Sequence, residues 1–570
     1  MACRQLKNDN QMKYFLKLRS NIVLEGDIQL AFREINHLFE KTIEIRRDNI
    51  KDLSVLITES QLYSNIRTGE IIGFISESPK VSTDKLIRYL SFIQEIWCTD
   101  SSFEDKPYAT KVGTVYCAIP MMAMSEYLSY VTKITNTTIS EIVRSLAGVI
   151  DTPKSLAKVL NRVNTSSPHV HSFHKYKAKF FPRFVRSLIV SNLDLSKGNY
   201  VVCDPFVGSG TTLIECSLMG IDSIGYDIDS LSCFISETKV TALNIAVNDL
   251  TVAMPISNKI KNKTEYSFPE EIQKKFRRWG TLDVMYAYEN EISRELDLIN
   301  NEIGFYKVLN QIALSDALTR KFTIRMMGTG SGRFALEIGK TSLQTLLKGN
   351  MKTSIHALEV IKVLRSCYNL DVKDGTVIHG NATKRSCDDN YYDIIVTSPP
   401  YLPASSGRED YLVGKMISLK ALGFYEDKDL IMTNSIGSMS SQSEVSLEGL
   451  PKSVSDLYNW LINDKLRSIK AAPVVSYYHS LKQSLLEDKR TVKDGGTIIY
   501  IIGKESIFYS NTTKEILYKV ECDNIFKEIA ESIGLIIKER INIELDKKNT
   551  VARPRSSDKY FESAIIMMKR

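Results

Sequence analysis

The stretch that most constrains this chain is Tyr200–Thr212, an apolar run that ends in an acid, a proline and a pair of glycines. Tyr200–Cys203 is too short for a helix and stops at Asp204-Pro205, so it reads as a buried strand ended by a turn. A helix is expected over Leu213–Met219 and a second strand over Ser223–Tyr226. Strand, tight turn, helix and strand begin a doubly wound α/β sheet. In the turn, Gly208 and Gly210 flank Ser209, a spacing that lets the backbone pass close to a ligand. The first amides of the next helix point at the same place. Asp227 follows 19 residues after Gly208, at the end of the second strand. A carboxylate there can accept hydrogen bonds from both hydroxyls of a ribose. A glycine pair alone is a weak signal, and the strand before it, the helix after it and the spaced acid are what give it meaning.

Strand-like runs resume at Thr376–His379, Asp393–Val396, Gly496–Ile502 and Ser563–Met568. Strands separated by helices imply an α/β, Rossmann-like sheet. Between its second and third strands lies a charged, largely helical insertion of about 130 residues, a length that is seldom an idle loop. The expected organisation is an accessory region at 1–163 and a cofactor half at 164–240. The insertion at 241–370 and a catalytic half at 371–570 follow. The accessory region mixes helical and short strand-like patterns, with a helix over Ala118–Ile134 and one or two more over Thr137–Asn164. Its role is not legible. Asn164–Pro168 reads as a linker.

The second chemical motif is Asp393–Tyr401, an apolar strand ending in Thr397-Ser398-Pro399-Pro400-Tyr401. Two consecutive prolines fix the backbone and remove two amide donors. The strand tip is left with carbonyl acceptors, one hydroxyl and one ring. Such a set suits an exocyclic base amine, a poor nucleophile because its lone pair is conjugated into the ring. Acceptors that grip its N–H bonds favour a more tetrahedral nitrogen with a reactive lone pair. Ser398 Oγ and the Pro399 carbonyl are the expected acceptors, and Tyr401 would stack on the base once it is flipped from the helix. Positioning and electrostatics would supply the rate.

Asp204–Thr212 closely resembles the Asp-Pro-Phe-x-Gly-Ser-Gly-Thr-Thr cofactor motif of amino-methyltransferases. Thr397–Tyr401 resembles their (Asp/Asn/Ser)-Pro-Pro-(Tyr/Phe) motif, in the form typical of cytosine-N4 DNA methyltransferases. The resemblance to S-adenosylmethionine-dependent DNA amino-methyltransferases implies a class I methyltransferase sheet. It implies that S-adenosylmethionine is held by Asp204, Pro205, Phe206, Gly208, Ser209, Gly210, Thr211, Asp227 and Thr397. Asn381, where the family more often has aspartate, would contact the adenine ring. Lys179, Phe180 and Pro182, in the basic aromatic lead-in His174–Arg183, would pack on the methionine end. Ser398, Pro399, Pro400 and Tyr401 would be catalytic. Serine at 398 points to cytosine N4, with adenine N6 the alternative, and an RNA or protein-amide substrate would use the same core. The implied partners are double-stranded DNA and a cognate restriction endonuclease. The motif order resembles the alpha arrangement, in which residues 241–370 would read the DNA, with 412–490 a second candidate.

Composition sets looser bounds. The formal net charge of +7 permits a polyanionic partner without requiring one. No run approaches the roughly 18 apolar residues of a membrane span, and the charged first residues resemble no secretory signal, so a cytoplasmic protein is expected. Nine scattered cysteines form no C-x-x-C pair. His169, His171 and His174 have no cysteine or acidic cluster beside them in the sequence, so no metal is expected. Gly328–Arg333 reads as a flexible loop, and Pro403–Tyr411, with Arg408, as a polar loop that closes on the base or touches phosphate.

Overall fold

The computed structural model describes residues 13–19, 22, 24–46, 70–112, 114–135, 168–176, 181–245, 250–251, 265–326, 334–402, 408–436, 445–510, 513, 515–545 and 560–569. Two large sheets organise them. The first has six antiparallel strands: β1 Lys13–Leu18, β2 Phe39–Arg46, β3 Ile71–Pro79, β4 Ile93–Cys98, β5 Ala109–Val112 and β6 Val115–Ala118, in the order β2-β3-β1-β4-β6-β5. Helices Glu25–Leu38 and Thr83–Tyr89 alternate with these strands, in keeping with the mixed pattern expected for the accessory region, and the strands assemble into one sheet. The helix expected from Ala118 begins at Met121 and runs to Thr135, because β6 takes Ala118. The helices expected over Thr137–Asn164 lie outside the described residues.

Between strands Asp222–Asp227 and Gly375–His379 of the second sheet the chain forms helices Ser230–Ala242, Glu270–Trp279, Leu282–Asn300, Gly304–Lys321 and Leu343–Tyr368. An antiparallel hairpin, β9 Phe322–Met326 with β10 Phe334–Ile338, stands among them. The glycine-rich string at 328–333 falls in the hairpin's connection, outside the described residues.

The second sheet carries the motifs. Its strands are β7 Val201–Asp204, β8 Asp222–Asp227, β11 Gly375–His379, β12 Tyr392–Thr397, β13 Val492–Gly503, β16 Ile536–Leu545 and β17 Tyr560–Met568. A two-stranded ribbon, β14 Glu505–Tyr509 with β15 Ile516–Glu521, precedes the last two. The spatial order is β11-β8-β7-β12-β13-β17-β16. Every pairing from β11 to β13 is parallel, and β17 runs antiparallel to both its neighbours. This is an α/β Rossmann-like sheet with one reversed strand.

Successive side chains on a strand point to opposite faces, and here the two faces feed two separate cores. Val202, Ile394, Val396, Ile499, Ile501 and Ile566 join one core, with Leu188 and Leu213 of helices Pro182–Val190 and Thr211–Met219. Cys203, Ile395, Ile498, Tyr500 and Met567 join the other, with Leu481 and Phe526 of helices Ala471–Thr491 and Cys522–Ser532. A sheet covered on both sides explains why its central strands read as continuous apolar runs. The exception is β16, an edge strand whose Lys538, Glu539 and Arg540 are exposed, and no strand was expected there.

The first core continues into the six-stranded sheet, so the two sheets share one apolar interior. Charges are buried where they join. Arg186 binds Glu215 through Nε at 2.7 Å and gives Nη1 to the Arg88 carbonyl at 2.7 Å. His171 Nε2 lies 2.8 Å from the other Glu215 oxygen. Arg88 in turn donates to the carbonyls of Tyr368 and Asn369. One ion pair thereby ties the first sheet's helix Thr83–Tyr89, the second sheet and the long helix Leu343–Tyr368. Removing one partner of a buried pair strands the other charge in an apolar interior. Glu215→Ala should therefore cost about 3–5 kcal/mol of stability, seen as an early midpoint in denaturant unfolding. A midpoint equal to that of the unsubstituted chain would show the pair to be dispensable.

Candidate functional site

Strand order reverses direction between β7 and β12, and a doubly wound sheet opens its ligand crevice at the carboxyl ends of strands at such a point. The ends of these two strands meet there. Thr397 Oγ1 donates to Asp204 Oδ1 at 2.6 Å. Thr212 Oγ1 donates to Oδ2 at 2.6 Å, and the Phe206 amide to Oδ1 at 3.1 Å. One carboxylate, 2% exposed, holds the glycine turn, the helix behind it and the tip of the neighbouring strand. Burial pushes the Asp204 carboxyl up to about 6, against the pull of these three donors. Pro205 is buried beside it and Phe206 is half-buried.

The turn needs its glycines. Gly208 has φ +51° and Gly210 φ +81°. A Cβ on Gly210 would also come within 3.1 Å of Ser236 Cα. The polar atoms of the turn are fixed from outside. The Gly208 amide donates to Asp227 Oδ2 at 2.9 Å, Ser236 Oγ donates to the Gly208 carbonyl at 2.8 Å, and Lys239 Nζ to the Ser209 carbonyl at 3.2 Å. Asp227 Oδ1 accepts from the Asp229 amide at 2.9 Å. Burial first, and then the negative Asp229, push the Asp227 carboxyl up to about 6, while Lys415 pulls it down.

This crevice fits S-adenosylmethionine. Helix Thr211–Met219 starts on Gly210 with no side-chain cap, so its first amides are available to a carboxylate. The buried Thr211 hydroxyl has no protein partner. Asp227 is the acid next to the turn.

Ser398 leaves β12 half-buried, followed by buried Pro399 and half-buried Pro400 and Tyr401. The Pro400 carbonyl accepts from Tyr477 Oη at 3.0 Å, and Tyr401 Oη donates to Glu562 Oε1 at 2.6 Å. Burial pushes the Glu562 carboxyl up. The tip therefore presents one hydroxyl, carbonyl oxygens on a rigid backbone and a ring held by its hydroxyl. No amide donor can come from the two prolines.

Pro182 occupies the first position of helix Pro182–Val190. Lys179 and Phe180 lie outside the described residues. Asn381, just beyond β11, closes its own turn: its Oδ1 accepts from the Thr383 amide at 2.9 Å and the Thr383 hydroxyl at 2.8 Å. The loop expected over Pro403–Tyr411 is shorter than that, because a helix begins at Arg408 and runs to Ala421. Residues 403–407 are outside the described set.

Several residues of the site gave no sequence signal. Ser236, Lys239, Tyr477 and Glu562 reach the motifs from distant segments. Asp229 could have been found, since an aspartate before Ser230–Ala242 is a helix N-cap, and its Oδ1 accepts from the Leu231 amide at 3.0 Å. Among the described residues, His169, His171 and Glu215 bring ligand-type atoms within 4.8 Å of one another. The acidic member was not foreseen because it comes from the helix after the glycine turn. It is also the residue that Arg186 neutralises.

Residues 84–237 match the N6/N4-type family model described as DNA methylase. The match holds the glycine turn and Asp227 and ends before Ser398. Among similar proteins, Type II methyltransferase M.BsoBI of Geobacillus stearothermophilus is 29% identical over 48% of this chain and 56% of its own length. Type II methyltransferase M.MjaII of Methanocaldococcus jannaschii is 32% identical over 22% of this chain and 24% of its own. Type II methyltransferase M.MvaI of Kocuria varians is 23% identical over 61% of this chain and 80% of its own. The chain thus spans little more than half of M.BsoBI.

The Asp227 carboxylate accepts hydroxyl hydrogen bonds best when ionised. Its raised value means that this form is lost as pH falls through about 6. S-Adenosylhomocysteine should therefore bind more weakly below that pH, as read by titration calorimetry. Asp227→Asn should bind weakly at every pH with no such step. A step of the same size in the variant would assign the titration to another group.

Proposed function

We propose that this methylase transfers a methyl group from S-adenosylmethionine to the exocyclic amine of a base flipped out of double-stranded DNA, with cytosine N4 as the target. The Thr397–Asp204 hydrogen bond carries the reading, because it joins the Ser-Pro-Pro-Tyr tip to the glycine turn across the crevice. S-Adenosylmethionine, when bound, supplies an electrophilic methyl group. Ser398 Oγ and the Pro399 carbonyl accept the two amine N–H bonds and so free the nitrogen lone pair. Tyr401 stacks on the base, its ring angle held through Glu562, and Tyr477 steadies the Pro400 carbonyl. Protonated, conjugated amines are strong acids, so the surplus proton can pass to water without a dedicated base.

The insertion at 241–370 is proposed to read the DNA. Arg277 and Arg278 are exposed at the end of helix Glu270–Trp279. Trp279 is 45% and Tyr286 54% exposed around the following corner. Cations for phosphate beside rings for bases suit that task. Relatives named Type II methyltransferases support a role in restriction-modification with a partner endonuclease. The His169–His171–Glu215 group is read as a charge-balanced part of the interior, since Arg186 already pairs with the carboxylate.

The test is to express the chain, digest host DNA to nucleosides and quantify methylated bases by mass spectrometry. N4-methylcytosine is expected, and Ser398→Ala should lower its rate of formation about 100-fold or more with cofactor affinity unchanged. N6-methyladenine would keep the chemistry and change the base. Neither base, with the cofactor still bound, would move the substrate to RNA or protein.

A further inference from the structure

Lys415 lies on helix Arg408–Ala421, which follows the Ser-Pro-Pro-Tyr tip, yet its ammonium sits at the cofactor turn. It is paired with Asp229 Oδ2 and donates to Ser232 Oγ at 3.1 Å and to Tyr176 Oη at 3.2 Å. It also lies 4.7 Å from the centre of the Tyr176 ring. Tyr176 Oη is 2.9 Å from Ser232 Oγ, and its ring edge would lie 3.6 Å from a Cβ on Gly208. Three segments thus converge on one cation: the lead-in before β7, the start of the helix after β8 and the helix after the catalytic tip.

We infer that Lys415 is a positioning residue for the cofactor site: it balances the Asp227–Asp229 pair and holds Tyr176 against the glycine turn, so the segment after the catalytic tip sets cofactor affinity. This rests on the methyltransferase reading. Two carboxylates two residues apart, both oriented by backbone amides, would repel each other without a cation. Burial works against the Lys415 charge, and Asp229, Tyr176 and Asp227 outweigh it, so the ammonium is held more firmly than usual. Burial also opposes the Asp229 charge, and Lys415 chiefly reverses that, leaving Asp229 below the usual carboxylate range. The other titratable groups around Asp227 are Tyr176, Asp204 at the end of β7, Cys233, whose Sγ is 3.4 Å from the Asp227 carbonyl, and His379 at the end of β11, whose Nε2 is 2.9 Å from the Ile228 carbonyl. Asp427 stands one step away, bonded to the Ser230 hydroxyl. Among these described neighbours, Lys415 is the cation that contacts the acidic pair.

The experiment measures S-adenosylhomocysteine binding by calorimetry from about pH 5 to about pH 8. Lys415→Met should move the loss of binding upward by about one pH unit. At pH 6 this variant should bind about fivefold more weakly than the unsubstituted chain, and the difference should shrink towards pH 8. Lys415→Arg should behave as the unsubstituted chain does. Asp229→Asn with Lys415→Met removes both charges, keeps a capping side chain, and should return the profile towards the original pH. A Lys415→Met profile that is unshifted, or weakened equally at every pH, overturns the inference, as does a double variant no different from the single one. If the unsubstituted chain fails to bind at any pH, the cofactor reading itself falls, and this role with it.

Discussion

The Asp204 carboxylate receives three donors from three places: the turn that follows it, the helix behind that turn and the end of the neighbouring parallel strand. A buried carboxylate is tolerable only when its oxygens are so occupied. The consequence reaches beyond its own stability. Thr397 precedes Ser398 directly, so the bond that satisfies Asp204 also sets where the Ser-Pro-Pro-Tyr tip begins. Two motifs 193 residues apart are held in one geometry by a hydrogen bond of 2.6 Å.

The rest of the crevice repeats this pattern of remote support. The glycine turn is pinned by Asp227, Ser236 and Lys239, and the tip by Tyr477 and Glu562. None of these contacts lies within either motif. Each comes from an element placed by the sheet, whose two faces bury separate cores and so fix the helices on both sides. The six-stranded sheet contributes in the same way. Its junction with the seven-stranded sheet is closed by apolar packing and by Arg186, which satisfies Glu215 on one side and the Arg88 carbonyl on the other.

Much of the central sheet was legible. β7, β8, β11, β12, β13 and β17 all lie where short apolar runs bounded by turns mark them, because strands buried on both faces need little polar alternation. β16 was not legible: as an edge strand it exposes Lys538, Glu539 and Arg540, and its apolar signal is diluted. The first sheet was missed as a sheet because its antiparallel pairings join segments tens of residues apart, and local pattern does not report partners. At the site, Gly208, Gly210, Asp227 and Ser398 stand out by residue type and spacing. At Asn381 the structure adds a local role that spacing does not report: its side-chain oxygen accepts from the Thr383 amide and hydroxyl in its own turn.

The sequence by itself determined the strand–turn–helix unit, the left-handed glycines, the acid at the end of the second strand and the proline-stiffened tip. These are local properties, set by backbone sterics and the chemistry of adjacent side chains. Tertiary structure alone decided that Thr397 meets Asp204, that Lys415 enters the cofactor turn beside Tyr176 and Asp229, and that Glu215 lies between Arg186 and His171. Those contacts depend on strand order and on which face of the sheet each helix covers. Both follow from burying apolar surface throughout the chain, so no short stretch of residues encodes them.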